Sequence, residues 1–366
     1  MHTKEELLYI LALQRVPNLG DTSAKKLLQA VGSAEGIFRE KKARLLKIEG
    51  IGAFRLKDLS FDQLRPEAEE ELQFMKDQRI DYRYFLDENY PEYLKHCLDS
   101  PILFFQKGNI HLQDQKIISI VGTRNATPYG IQFCESLLEE LAPLNPVIVS
   151  GLAYGIDITA QRKAMELGLQ TIGCLAHGLN QIYPKTHKKY VSTMERNGGV
   201  ITEFWSNDLF DRTNFLKRNR IIAGLSEATI VIESAEKGGS LVTAEIANSY
   251  DRAVFAVPGK VTDPQSQGCN DLIRFQKAQC ITSAADVIYH LGWELQEPKP
   301  KQTRLFVEMT EEEKKIWQYL KGKDKEMLDV IALDCQLPTF KLASLLLTME
   351  LKGLVRPLPG KMFQYI

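Results

Sequence analysis

The sequence predicts an α/β chain: a Rossmann-like, doubly wound and mostly parallel sheet, flanked by an N-terminal small helical module and a C-terminal winged helix. Three observations carry this expectation. Six short β-rich apolar runs recur in the middle of the chain: "IISIV" (117–121), "PVIVS" (146–150), "TIGCLA" (171–176), "GVITEF" (199–204), "ATIVIES" (228–234) and "AVFAVP" (253–258). Stretches such as "GIQFCESLLEELA" and "ITAQRKAMELG" lie between them, with apolar residues at helical spacing. Strands buried on both faces read as near-continuous apolar runs, and their alternation with amphipathic helices is the pattern of a parallel sheet covered on both sides. The third observation is that this pattern stops on either side. The expected domains are residues 1–85, helical; 86–293, Rossmann-like; 294–306, a linker; and 307–366, a winged helix.

Each element follows from local chemistry. Residues 5–58 read as short helices, "KEELLYILALQRV", "GDTSAKKLLQAVG", "SAEGIFRE" and "KKARLLKIEGIG", with Gly20, Gly32, Gly50 and Gly52 as stops between them. "VPNLG" before a Lys-bearing helix, and "IEGIG" later, are similar to the hairpins of helix-hairpin-helix and SAM-like modules. Such hairpins can offer N–H groups to a phosphate, although Gly-capped turns also occur in any helical bundle. At the other end "ELQEPKPKQTR" (294–304) has two prolines and no apolar period, which reads as a linker. "TEEEKKIWQYL" then opens with Thr310 and Glu313 at capping-box spacing. "EMLDVIALDC", "LPTFKLASLLLTMELKG" and the pair "LVRPL" and "KMFQYI" around "PG" complete three helices and a β-hairpin. The third helix carries Lys341, Lys352 and Glu350 but is dominated by Leu and Met. A protein-contact or structural role is therefore expected ahead of major-groove reading.

Composition limits the function classes. A chain of 366 residues exceeds one ordinary core, in keeping with several domains. With 44 % hydrophobic and 25 % charged residues it has the composition of a soluble protein, and no apolar run approaches the about 18 residues that would span a membrane. The N-terminus has acids beside its basic residue and no small-residue cleavage site, so a cytosolic location is expected. Six cysteines, at 97, 134, 174, 269, 280 and 335, form no C-x-x-C pair, which speaks against zinc and disulfide frameworks and for reduced thiols. Net charge is -1, so a polyanion would have to be held by a local basic site.

In doubly wound sheets ligands bind beyond the carboxyl ends of the strands, and four of those ends carry groups suited to phosphate. The first strand ends in "VGTRNATPYG": Gly122 permits a tight turn, Thr123 offers a hydroxyl and Arg124 a planar guanidinium. This is not a G-x-G-x-x-G dinucleotide loop. The second ends in "SGLAYGID", where Gly151 and Gly155 allow close approach of the backbone and Asp157 can cap the next helix. The fourth leads into "RTNFLKRNRIIAGL" (212–225), with Arg212, Lys217, Arg218 and Arg220 and no acid at the start of a helix. The helix dipole disfavours cations there by about 0.3 to 1 kcal/mol each, a cost that a bound polyanion would offset. Phe215 among them is either a platform for a stacked base or a core staple. Arg218 shares a helical face with Ile222 and Leu225, which leaves open a bond to a strand-end carbonyl. The fifth strand leads through Gly238, Gly239 and Ser240 into a helix whose free N–H groups can face an anion.

No catalytic or metal-binding pattern accompanies these loops. His177 and His187 lack a spaced nucleophile and read as hydrogen-bonded or solvated side chains. An enzyme alternative is a Rossmann-like nucleotide phosphoribohydrolase of the lysine-decarboxylase-like family, whose Gly-rich loop and carboxylate are approximated by Gly238, Gly239 and Glu245. The further glycine and the paired acid of that loop are missing, with Leu241, Val242 and Ala244 in their region.

Taken together, "IVGTRNATPYG", "VSGLAYGIDITA", "IYP", "RNRIIAGLS", "GGSLVTAEIA", "VFAVPG" and "GCNDLI" resemble the motifs of the DNA-processing protein A (DprA/Smf) family, in the family's order over about residues 90–280. The resemblance implies a cytoplasmic, homodimeric, single-stranded DNA-binding protein that protects incoming DNA and loads the RecA recombinase in natural transformation and recombination. It implies no cofactor, no metal, no catalysis and no membrane. The matching positions for DNA contact are Gly122, Thr123 and Arg124; Gly151, Gly155 and Ile156; Arg212 and Phe215; Arg218, Asn219 and Arg220; and Gly239 with Ser240. The chain departs from the family's usual residues at Ala160 and Gln161, at Gly238-Gly239-Ser240 and at Cys269.

Overall fold

The computed structural model describes residues 2–294, 309–323, 325–358 and 360–365. It contains two compact units, residues 1–295 and 296–366. Most of the linker expected at 294–306 lies outside the described residues.

The first unit begins with helices α1 (Lys4–Arg15), α2 (Asp21–Val31), α3 (Ala34–Arg39), α4 (Lys42–Leu45) and α5 (Phe61–Gln78). Local chemistry sets their ends. Thr3 and Glu6 form a reciprocal capping box on α1, and Gly32 closes α2 at φ 93°. Their apolar faces, including Leu8, Leu11, Leu27 and Leu28, bury against one another and against Phe105 and Trp205 of the sheet region. Gln14 fastens the join: its amide donates to Leu103 O at 2.9 Å and its oxygen accepts from Trp205 Nε1 at 2.9 Å. Each fully buried Leu stabilises by roughly 1.5 to 3 kcal/mol, so the helices cannot leave without uncovering Phe105 and Trp205. The change from helices to sheet falls between Gln78 and Asp81, inside one compact unit, rather than at 85/86.

The sheet has nine strands: β1 (Asp81–Tyr84), β2 (Leu103–Asn109), β3 (Ile117–Gly122), β4 (Val147–Ser150), β5 (Thr171–Cys174), β6 (Gly198–Thr202), β7 (Ala228–Ile232), β8 (Ala253–Ala256) and β9 (Gln279–Cys280). Their order is β1-β2-β6-β5-β4-β3-β7-β8-β9. The seven strands from β6 to β9 pair in parallel; β2 is antiparallel to both β6 and β1. All six runs read from the sequence are strands; those of β5, β6, β7 and β8 end two residues early, where the chain leaves the ladder for the loops. The polar-apolar mixture of "DYRY" and "LFFQKGN" hid β1 and β2. Side chains alternate between two cores, as the pleat requires. Ile118, Ile120, Ile148 and Ile230 face α7 (Pro128–Leu141), α8 (Ile156–Glu166) and the later α13 (Ala284–Leu291). Val121, Val149, Ile172 and Val231 face α6 (Glu92–Lys95), α10 (Asn214–Leu225), α11 (Gly239–Ser249) and α12 (Gln267–Arg274). The remaining helix, α9 (Lys188–Met194), packs Val191 and Met194 with Leu152 and Val200.

Chain order places the switch point. From β3 the chain runs outward through β4 and β5 to β6, then returns along α10 to β7 on the other side of β3. The loops after β3 and β7 consequently diverge and leave a crevice, the general ligand position of such sheets. Ser119 holds α10 over it by donating to Ile222 O at 2.6 Å.

The second unit contains α14 (Glu311–Lys323), β10 (Lys325–Met327), α15 (Leu328–Asp334), α16 (Thr339–Leu351), β11 (Val355–Leu358) and β12 (Met362–Tyr365). Glu313 Oε2 accepts from Thr310 N at 2.8 Å and Thr310 Oγ1 from Glu313 N at 3.3 Å, the capping box expected from their spacing. The hairpin pairs antiparallel, β12 lies between β11 and β10, and Ile316, Leu320, Leu342 and Leu346 form the core. Three helices and a wing are present; the short β10 is an addition that the sequence did not signal.

Candidate nucleic-acid interface

The crevice at the switch point is a cleft of about 240 Å³ lined by Gly122, Thr123, Arg124, Phe215, Arg218, Asn219, Gly239 and Ser240, with Ala153, Asp157 and Leu216 among the others. Eight of the thirteen residues singled out in the sequence therefore come together, from two strand ends and one helix. The other five, Gly151, Gly155, Ile156, Arg212 and Arg220, do not line it.

The loop after β3 is fixed from below. A Cβ on Gly122 would collide with Ile232 O. Thr123 N donates to Glu233 O at 2.8 Å and Thr123 Oγ1 to Gln265 Oε1 at 2.9 Å. Arg124 is exposed and its guanidinium lies 5.6 Å from the centre of the Phe215 ring. Among the described residues no carboxylate pairs with it, so its charge is available to a ligand. Across the cleft α11 starts at Gly238 and Gly239 without a side-chain cap. Its first N–H groups and the positive end of its dipole are left for an anion. Ser240 is turned inward, where its hydroxyl donates to Ser234 Oγ at 2.9 Å.

The loop after β4 supports rather than lines the site. A Cβ on Gly151 would come within 2.6 Å of Asp157 Oδ2 and 2.7 Å of Arg218 Nη1. Gly155 sits at φ 77° with no room for a Cβ beside Thr123 O. Ile156, a matching position for DNA contact, donates its N–H to Thr123 O at 3.1 Å, and its side chain is fully buried. Asp157 accepts from Gly151 N at 3.1 Å. Burial pushes its carboxyl up, and the Arg218 guanidinium works against that shift.

Arg218 is 4 % exposed. It donates through Nη1 to Gly151 O at 2.8 Å and to Cys174 O, which closes the alternative left open by helical spacing: it bridges the ends of β4 and β5. Its Nε–H is buried without a protein partner, and the side chain still borders the cleft. Phe215 is half-buried, with the guanidinium groups of Arg218 and Arg124 at 5.9 and 5.6 Å from its ring centre. It is neither a core staple nor a free platform but the middle of an aromatic group with Tyr183 (5.8 Å) and Phe210 (5.8 Å). Asn219 reaches Gly239 O at 3.5 Å. Arg212 lies before α10, exposed and without a carboxylate partner among the described residues.

Arg220 requires a correction. It does not face the cleft: Nη2 donates to Asp21 Oδ2 at 3.1 Å and to Glu203, and Nη1 to Asp99 O. Successive helical residues turn by about 100°, so Arg220 points roughly 200° away from Arg218, whereas Phe215, Arg218 and Asn219 share one face. Sequence reading also missed Tyr183 and Phe210; aromatic residues beside a basic loop in "IYPKTHKKY" and "LFDR" were the available signal.

The histidines behave as expected of structural groups. His177 is hydrogen-bonded at both nitrogens, to Gly178 O at 2.9 Å and from Tyr183 N at 3.1 Å, and burial lowers its pKa. His187 Nδ1 meets Leu152 O at 2.8 Å. Glu245, the acid of the enzyme alternative, is exposed and pairs with Lys277 at 3.2 Å instead of lining the cleft. Among the described residues no group of His, Cys, Asp and Glu is placed to hold a metal ion, and no single helix is long and apolar enough to cross a membrane.

Comparison with known proteins gives relatives of this fold. The profile described as DNA recombination-mediator protein A matches residues 81–292, and that of the DprA winged helix domain matches 297–361. The DNA processing protein DprA of Bacillus subtilis is 38 % identical over 231 residues, covering 63 % of this chain and 77 % of its own length. The X-ray structure of DNA processing protein A from Streptococcus pneumoniae superposes with a TM-score of 0.66 at 31 % identity, covering 77 % of this chain and 97 % of that one. The Helicobacter pylori DNA processing protein A, solved for its single-stranded DNA binding mode, gives 0.52 at 32 % identity over 58 % of this chain and 95 % of that one. With a matching profile over most of the sheet unit and these relatives along much of the chain, the chain belongs to the DNA recombination-mediator protein A family.

Proposed function

We propose that the chain binds single-stranded DNA in the switch-point cleft, as a homodimer that protects the strand and passes it to the RecA recombinase, without cleaving any bond. The observation that carries this reading is the placement of two kinds of group side by side. An unpaired guanidinium, an unpartnered Arg218 Nε–H and the uncapped start of α11 suit a phosphate. Phe215, half-buried with the guanidinium groups of Arg124 and Arg218 at 5.6 and 5.9 Å from its ring centre, keeps part of its ring for the face of a base. Duplex DNA offers phosphates but no free base faces, so the combination favours a single strand. The single-strand binding of the Helicobacter pylori relative supports the same reading. Glu245 lies outside the cleft, Asp157 in its lining is buried and hydrogen-bonded to Gly151 N beside Arg218, and the two buried histidines bond backbone groups, which favours a carrier over an enzyme. The cytoplasm is the compartment in which such a role would be exercised.

The test is equilibrium binding to single-stranded DNA, duplex DNA and nucleoside monophosphates at several salt concentrations. Arg124→Ala should flatten the plot of log affinity against log salt by about 0.7. Phe215→Ala should cost about 1 to 3 kcal/mol with little change of slope. Preference for duplex, or both variants binding as the wild type, would remove the reading. Partnership with RecA is tested separately, by whether the protein accelerates RecA assembly on single strands.

A further inference from the structure

A second cavity, of about 930 Å³, opens at the opposite end of the sheet from the DNA cleft. Ile117, the first residue of β3, borders it, whereas Gly122, the last, borders the cleft. At about 3.3 Å per residue along a strand the two are about 16 Å apart, so they are separate sites.

Gln106 of β2 lines this cavity and is 3 % exposed, yet its Oε1 is buried without a partner and no described residue accepts from its Nε2. Its neighbours on this face of the sheet are Phe104, two residues back, and Ile201, opposite it on β6, both fully buried. Stability alone favours an apolar side chain at such a position, because a buried acceptor without a donor forfeits its hydration. The walls around the amide are fixed. Tyr90 donates its hydroxyl to Pro101 O at 2.6 Å and packs its ring against those of Phe85 and Phe104 at 5.8 and 5.6 Å. The loop 110–115 is clamped by Gln170, which accepts from His111 N at 2.8 Å and donates to His111 O at 2.6 Å. Half-buried Tyr93 adds an aromatic wall and is held by Arg252, whose guanidinium lies 4.8 Å from its ring centre.

The charged groups of the lining select against phosphates. Arg83 donates to Tyr82 O at 2.9 Å and lies 3.5 Å from Asp81, and Glu92 meets His96 at 3.1 Å. Glu88 and Asp114 have no cation within ion-pair distance among the described residues. Carboxylates therefore outnumber cations here, and the field repels a nucleic-acid strand.

We propose that this cavity binds a neutral purine nucleoside, whose amino N–H donates to Gln106 Oε1 while a ring nitrogen accepts from Nε2. A donor beside an acceptor on one amide is the complement of an adenine edge, and the volume falls within the roughly 300 to 1,000 Å³ usual for ligand pockets. The proposal does not depend on the DNA cleft. Calorimetric titration of the full chain with adenosine tests it, with saturable binding expected below about 1 mM. N6,N6-dimethyladenosine, which has no donor for Oε1, should bind about 5-fold to 150-fold more weakly. Gln106→Leu puts an apolar side chain on an apolar face; it should melt no lower than the wild type and lose adenosine affinity by a similar factor. Arg124→Ala should bind adenosine as the wild type does. Absence of saturable binding would overturn the proposal, as would equal affinity for the dimethylated nucleoside or an undiminished affinity in Gln106→Leu. Tighter binding of adenosine monophosphate than of adenosine would show an anion site instead, and loss of adenosine binding in Arg124→Ala would place the nucleoside in the DNA cleft; either result also overturns it. Should Gln106→Leu fail to fold, the comparison of the two nucleosides on the wild-type chain decides.

Discussion

Replacing Arg220 by Ala separates a folding role from a DNA-binding one. In the structure its guanidinium is the cation between Asp21 at the start of α2 and Glu203 just after β6, with Asp99 O as a third acceptor. Lys25, one turn along α2, is occupied by Cys97 O at 3.1 Å, Leu98 O at 3.3 Å and Ser100 Oγ. Burial holds that ammonium down to about 8, with Asp21 pulling the other way. Among the described residues Arg220 is the one cation ion-paired with Glu203, whose Oε1 is already buried without a partner; Lys217 acts on it only at longer range. Removing one member of a buried ion pair costs about 3 to 5 kcal/mol, which for a unit of this size is on the order of 10 °C in melting temperature.

The pH dependence gives the sharper test. Burial raises the Glu203 carboxyl from 4.5 to about 7, against the opposing pull of Arg220. A carboxyl that binds its proton more tightly in the folded state contributes stability below its ordinary pKa and loses it as pH rises through the folded value. Without Arg220 the folded value moves higher still. Arg220→Ala should therefore be most costly near about pH 8, where the carboxylate must be buried charged, and least costly near about pH 5.5, where it is neutral. Asp21, likewise raised by burial, shifts in the same sense. Thermal melts of variant and wild type at the two pH values measure the difference, and Glu203→Gln added to the variant should recover part of the loss at the higher pH. An equal cost at both pH values would refute the argument. So would a wild-type melt combined with a salt slope for single-stranded DNA that falls by about 0.7, the sign of a phosphate contact.

Arg218→Ala should lower the melting temperature as well as DNA affinity, since it removes two carbonyl bonds and leaves Asp157 buried without its cation; a loss of about 2 to 4 kcal/mol is expected by chemical denaturation. Deleting residues 305–366 should leave single-strand affinity within about tenfold of the full chain, about 1.4 kcal/mol, because every group assigned to the cleft lies between 122 and 240; weaker binding in a fragment with native circular dichroism would bring the winged helix into the DNA site. Incubation with nucleoside monophosphates should release no free base, and Glu245→Ala should change nothing; base release abolished by that variant would restore the enzyme alternative.

The six central strands, the glycine loops that follow them and the helices and wing of the C-terminal unit could be read directly, because each writes its environment into consecutive residues. A strand covered on both faces needs an unbroken apolar run, and a turn such as Gly122-Thr123-Arg124 directly follows its strand. β1 and β2 were not legible for the converse reason: β1 is the edge strand and β2 runs past it at Lys107, so Arg83 and Lys107 can stand among apolar residues without breaking the ladder. The destination of the cations in 212–220 could not be read either. Helical spacing already puts Arg218 and Arg220 on opposite sides of α10, but it cannot say which side meets DNA. That was decided by groups far along the chain. The carbonyls of Gly151 and Cys174 claim Arg218, and Asp21, nearly two hundred residues away, claims Arg220 together with Glu203. The sequence alone determined which side chains are charged and which face of a helix each occupies; only the packing of the N-terminal helices and the sheet around α10 decided which charges are consumed by the fold and which, like that of Arg124, remain for a ligand, because burial demands a partner for every charge it encloses and solvent does not.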